Sequence, residues 1–172
     1  MKFENQSLVH FCVTCSDFDK SYDFYRDVVG LKIYPSSNPD ASEANRRPGE
    51  INCPTWEEDV PFSLMDFEAT GGRYRVCWFY WGDNPGFPVL DLIQWQDPGR
   101  KIERKGNDYG LARFAMKVDD IDAAARHLQA NGVELVTPPT EDYVEGKIFK
   151  VLFFRDPDGT LLQFIEFPKE LD

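Results

Sequence analysis

Residues 9–25 read VHFCVTCSDFDKSYDFY, which sets His10 two positions before the first cysteine of a C-x-x-C, Cys12 and Cys15. Imidazole and thiolate are common zinc ligands, and paired thiols at this spacing can form a redox couple. Either chemistry needs both sulfurs to converge, as they do from a helix start or a tight turn. The pattern here is that of a strand, in which alternate side chains leave on opposite faces. Residues 10, 12 and 14 then share one side and residues 11, 13 and 15 the other. Cys12 and Cys15 point apart, and Cys15 packs beneath a helix with Phe11 and Val13 as a small apolar residue. The chemically interesting set is His10, Cys12 and Thr14, on the face away from that helix.

The elements that position this set occur twice. HFCVTCSDFD, from His10, lies over RFAMKVDDID, from Arg113, without a gap. Each copy is an alternating apolar segment followed by an Asp pair and a helical pattern that ends in glycine, at Gly30 and Gly132. Asp17 and Asp120, or the residue before each, suit the N-cap, and the glycines suit the left-handed position after a helix. Later, VLDLIQW from Val89 lies over LLQFIEF from Leu161, each after a turn (GDNPGFP, RDPDGT) and each preceded by a further apolar segment, RYRVCWFYWG or KIFKVLFFR. Each half therefore reads strand, helix and three strands. The fold class is α+β: a first βαβββ module over 1–95, a linker over 96–110 and a second module over 111–172. A long loop at 35–63, rich in Pro, Ser, Asn and charge, carries most of the first module's surplus length. LMDFEATGG fits a strand extension or a short helix equally well.

The 172-residue chain has a formal charge of −11, 42% hydrophobic and 15% aromatic residues. A chain this acidic repels phosphate backbones and anionic membrane surfaces, so nucleic acid and membrane partners are not expected. No apolar run is long enough to span a bilayer, and the first ten residues lack a signal peptide's apolar core. A cytoplasmic protein with free thiols at Cys12, Cys15, Cys53 and Cys77 is the expectation.

The repeat, the leading VHFCVTCSDFDKSYDFYRDVVGLKI and the closing VLFFRDPDGTLLQFIEF together resemble the vicinal oxygen chelate superfamily, which includes glyoxalase I, extradiol dioxygenases, methylmalonyl-CoA epimerase and bleomycin-resistance proteins. The resemblance covers nearly all of the chain apart from 35–63. It implies paired βαβββ modules curled into an open cup with helices outside, and a homodimer. In metal-dependent relatives, the first and last strands of each module supply four ligands to a divalent ion. Carried onto this chain, those positions are His10, Asp91, Arg113 and Gln163, where relatives typically have His at the third and Glu at the fourth.

A guanidinium has donors, no acceptor and a permanent charge, so Arg113 cannot ligate a cation. His10, Asp91 and the weak ligand Gln163 fall short of a usual transition-metal set. The only other histidine, His127, lies off the Ile121, Ala124, Ala125, Leu128 stripe and reads as a solvated helix residue. A two-His, one-carboxylate iron site therefore lacks its second histidine. A glutathione-dependent glyoxalase is disfavoured because Thr14 stands where those relatives often place Arg.

The expected chemistry requires neither metal nor cofactor. His10 moves a proton, Asp91 orients it or acts as base, Arg113 stabilises an enolate or phenolate, and Gln163 positions a carbonyl or hydroxyl. Cys12, Thr14, Trp78, Trp81 and Trp95 are the expected ligand wall, and the aromatics favour an aromatic or apolar small molecule. This describes an isomerase, lyase or cyclase. The competing readings are a binder that sequesters a planar molecule, a vestigial site closed by an Arg113–Asp91 ion pair, and a metal enzyme with a reduced ligand set.

Overall fold

The computed structural model describes residues 7–35, 74–96, 101–103, 105 and 107–171. Apart from Pro35, the expected loop at 35–63 lies outside the described residues, as do LMDFEATGG and Cys53. The chain divides into two compact units, residues 1–100 and 101–172. The division falls within the expected linker.

The first unit runs β1 (His10–Thr14), α1 (Phe18–Asp23), β2 (Lys32–Ile33), β3 (Tyr74–Tyr80) and β4 (Val89–Trp95). Its sheet has the order β1-β4-β3-β2, with β1 parallel to β4 and the other pairs antiparallel. The second unit runs β5 (Phe114–Lys117), α2 (Ile121–Ala130), β6 (Leu135–Val144), β7 (Lys147–Arg155) and β8 (Leu161–Glu166), and its sheet has the equivalent order β5-β8-β7-β6. Each is a βαβββ module, and the duplication seen in the sequence is a duplication of topology. Among the described residues no helix is long and apolar enough to cross a membrane.

Both helices start where a carboxylate can satisfy their first amides. Asp17 accepts from the Lys20 amide at 3.2 Å and Asp120 from the Ala123 amide at 2.8 Å. At α2 a second carboxylate helps: Glu166 on β8 accepts from the Ile121 amide at 2.8 Å, which ties the helix start to the last strand. Such caps are each worth about 1 kcal/mol. Both helical segments end at a glycine with positive φ, Gly30 at 82° and Gly132 at 75°, a conformation other residues enter only with strain.

The first helical segment is not α-helical throughout. Phe24–Val28 widens into a π-helical turn, with the Val29 amide bonded to the Phe24 carbonyl at 2.9 Å. The wider turn allows two consecutive aromatics, Phe24 and Tyr25, to be buried together and to meet edge to face at 5.3 Å. This inner side packs on Phe79 of β3, which touches both Tyr22 and Tyr25. In α2, Ile121, Ala125 and Leu128 are buried and His127 is exposed, as the apolar stripe predicts.

Candidate functional site

The site is built on three neighbouring strands. β4 lies between β1 and β3, and its register sets Cys12 of β1 and Trp78 of β3 on either side of Asp91. Paired residues share a face, so His10, Cys12, Thr14, Asp91 and Trp78 lie on one side of the sheet. Phe11, Val13, Cys77, Phe79, Leu90 and Leu92 lie on the other, beneath α1. Burial follows this alternation: Val13 and Cys15 are buried, whereas His10, Cys12 and Thr14 are exposed. The two sulfurs of the C-x-x-C do not converge, as the strand pattern requires.

One ligand-capable atom from each of His10, Cys12 and Asp91 lies within 4.8 Å of the others. Cys12 Sγ donates to Asp91 Oδ2 at 3.3 Å. The imidazole of His10 stacks on the Trp78 indole, with ring centres 6.2 Å apart and planes 30° apart. Asp91 is the only charged residue in a strand buried on both faces, and only 7% of it is exposed. Burial pushes its carboxyl above the ordinary range, since a carboxylate there loses hydration; the Cys12 thiol, His10 and Trp78 oppose that rise more weakly. The Cys12 thiol is pushed up to about 12, first by burial and then by the charge and hydrogen bond of Asp91. It is therefore a neutral donor to the carboxylate at neutral pH.

The second module repeats this arrangement with different chemistry. Arg113, just before β5, donates from Nε to Gln163 Oε1 at 2.8 Å, and its guanidinium lies over the Phe153 ring at 5.4 Å. Phe153 stands opposite Gln163 as Trp78 stands opposite Asp91. In both modules a cationic or titratable group at the first strand rests on an aromatic from the third strand, beside a buried polar group on the last. The difference lies in the remaining register partner. Cys12 faces Asp91, whereas Ala115 faces Gln163.

The four-position ion set implied by the sequence resemblance does not fit these residues. Arg113 has no lone pair to offer, and the one Gln163 atom able to ligate accepts Arg113 instead. Asp91 is engaged by the thiol of Cys12, a residue expected only to line the wall.

The three tryptophans expected in the ligand wall separate. Trp78 stacks on His10. Trp95 shares the Asp91 face but is 8% exposed, packed in a core cluster with Val76 and Ile93 against Tyr74 and Trp78. Trp81 stacks on Phe11 at 5.6 Å, with the helix-side residues rather than with His10. Two aromatics that sequence reasoning passed over continue outward from Trp78. Tyr34 meets it edge-on at 6.0 Å and stacks on Phe87 at 6.1 Å. Tyr34 is held there by its amide, which bonds the Trp78 carbonyl at 2.7 Å. Its place directly after LKI, one residue past the short strand β2 that pairs with β3, was the only available signal.

A duplicated βαβββ module, with polar side chains on the first and last strand of each copy, defines a glyoxalase-type fold. The chain belongs to the Glyoxalase/Bleomycin resistance protein/Dioxygenase superfamily, whose model matches residues 7–164. It is 27% identical over 165 residues to 2-epi-5-epi-valiolone epimerase of an Actinomyces species, covering 92% of this chain and 78% of that one. It is 26% identical over 159 residues to lactoylglutathione lyase of Neisseria meningitidis, covering 92% and 89%. A glyoxalase family protein from Bacillus cereus has the same fold, with a TM-score of 0.64 at 16% identity over 97% of this chain and 96% of that one.

Proposed function

We propose that this chain is an enzyme that moves protons on an aromatic or apolar small molecule, as an isomerase, lyase or cyclase does, without the four-ligand ion of its metal-dependent relatives. The observation that carries this reading is the His10–Cys12–Asp91 group beside Trp78, with a buried carboxylate among partly open neighbours. His10 is exposed, stacked on an aromatic and close to a carboxylate, which suits a group that takes a proton from bound substrate and returns it. Asp91 orients the imidazole and balances the charge it gains, and the neutral Cys12 thiol fixes the carboxylate. Trp78, Tyr34 and Phe87 supply flat apolar surface for the ligand. In the second unit, Arg113 is held by Gln163 and presents a fixed positive charge there. The relatives named an epimerase and a lyase support the reaction class and leave the substrate open.

The test is solvent exchange. Aromatic carbonyl and hydroxy acids that quench the tryptophan fluorescence are incubated with the protein in deuterated buffer containing a chelator, and loss of a carbon-bound proton is followed by NMR. Wild-type protein exchanges the proton, and His10→Gln slows exchange by about 10²–10⁴-fold, as expected for a general acid–base group, while ligand affinity stays within a few-fold. Ligands that bind tightly without any exchange would favour sequestration instead.

A further inference from the structure

We infer that the first module alone holds a site for one thiophilic divalent cation of the zinc class, ligated by His10, Cys12 and Asp91. This site differs from the four-position set discussed above: it takes nothing from Arg113 or Gln163, and it adds a sulfur that the second module lacks.

The donors are an imidazole nitrogen, a sulfur and a carboxylate oxygen, all within 4.8 Å of one another. In a tetrahedral zinc site, bonds of about 2.0–2.3 Å put neighbouring donors roughly 3.5 Å apart. Closing on an ion therefore needs about 1 Å of movement, available to His10 and Cys12 because both side chains are exposed. Asp91 is the fixed member. It is 7% exposed, and its Oδ1 is buried and accepts no well-formed hydrogen bond among the described residues. A buried carboxylate oxygen without such a bond, beside a sulfur and an imidazole, has lone pairs to offer a cation. Ligation forms a metal–sulfur bond and releases the thiol proton to solvent.

The mixture of sulfur and nitrogen donors selects zinc or cobalt over magnesium or calcium, which take oxygen ligands. The equivalent position in the second module is Ala115, so one equivalent binds per chain. The site goes beyond the proton-transfer reading. Only its consequence rests on that reading: an ion on His10 and Asp91 occupies the acid–base pair and silences it.

The experiment uses full-length, reduced protein freed of metal by chelation, with no substrate present. Cobalt is titrated in while the near-ultraviolet thiolate-to-cobalt charge-transfer band is recorded, and zinc affinity is measured by competition with a chromophoric chelator. One equivalent saturates the band, zinc bleaches it and excess magnesium leaves it unchanged. Cys12→Ser, with Cys12→Ala as a second variant and circular dichroism to verify folding, abolishes the band and weakens zinc by at least about tenfold. Cys15→Ser, on the helix side, changes neither. Absence of saturable binding, or a band that survives in both Cys12 variants, overturns the site. The exchange assay is then repeated with zinc. Inhibition supports the silencing role. Exchange that depends on zinc overturns the metal-free reading of the chemistry and leaves the cation site standing.

Discussion

Replacing Asp91 by Asn tests the electrostatics of the site without reference to any substrate. The carboxyl group is 7% exposed, and burial raises its pKa in the folded state. A raised carboxyl pKa means that the folded protein binds this proton more tightly than the unfolded chain. The stabilisation tied to that proton is fully present below the unfolded value of about 3.9, and it is lost as pH rises through the folded value. Above the unfolded value the wild-type protein either holds a proton that the unfolded chain has released or carries a buried charge, whose lost hydration Cys12, His10 and Trp78 offset only partly; both cost stability. Asn keeps the shape, can still accept the Cys12 thiol, and has no charge to desolvate. The expected gain at pH 7 is about 0.5–2 kcal/mol, the range for relieving a strained functional position. For a chain of this size each kcal/mol moves the melting temperature by roughly 2–4 °C. Thermal melts of chelated protein, followed by tryptophan fluorescence, should show Asp91→Asn melting higher at pH 7 and the two proteins converging near pH 4. A variant that melts lower at pH 7, or a difference that stays constant with pH, would refute the claim that Asp91 is an under-compensated buried charge.

Cys12 is exposed, yet its pKa is pushed to about 12, so at pH 8 its thiolate fraction is about three orders of magnitude below that of an ordinary cysteine near 8.5. Alkylation followed by peptide mass spectrometry should find it slow in the wild type and faster in Asp91→Asn, where the carboxylate's charge and hydrogen bond no longer hold the proton. Asp120→Ala removes the cap on the Ala123 amide and should cost about 1 kcal/mol in urea unfolding. Gly132→Ala adds a methyl that meets no atom within 4 Å, so the roughly 1–2 kcal/mol loss expected of it in the same assay is backbone strain alone.

What could be read from the sequence was what short-range periodicity encodes. The alternation of VHFCVTC placed Cys15 inside and His10, Cys12 and Thr14 outside, and the Asp and Gly residues bracketing both helical patterns are the caps seen in the structure. The repeat disclosed two modules because each copy keeps its own pattern. What could not be read depends on packing between distant segments. The pairing of Cys12 with Asp91 is a parallel register between strands far apart in the chain, and no local pattern fixes such a register. The π-helical turn at Phe24–Val28 exists because Phe24 and Tyr25 are both drawn inward, whereas an α-helical periodicity would bury them unequally. Trp81 sits one residue beyond the end of β3, where its contact with Phe11, rather than the count along the strand, determines its side.

The two modules show how little of the backbone must change for their chemistry to diverge. β1 pairs with β4 as β5 pairs with β8, so the same register brings one first-strand residue opposite the polar residue of the last strand in each module. With Cys12 and Asp91 at that pair, the module holds a carboxylate that is short of hydrogen bonds and has soft donors beside it. With Ala115 and Gln163, the oxygen of a neutral amide accepts from one neighbour, Arg113, and a buried anion is avoided. The first arrangement is costly by itself because a buried charge needs a partner, whereas the second buries no anion. A module under selection for stability alone would drift toward the second state, as Asp91→Asn would do in one step. That the first module has the incomplete arrangement, in a strand otherwise made almost wholly of apolar residues, is the physical reason to look for ligand chemistry at Asp91.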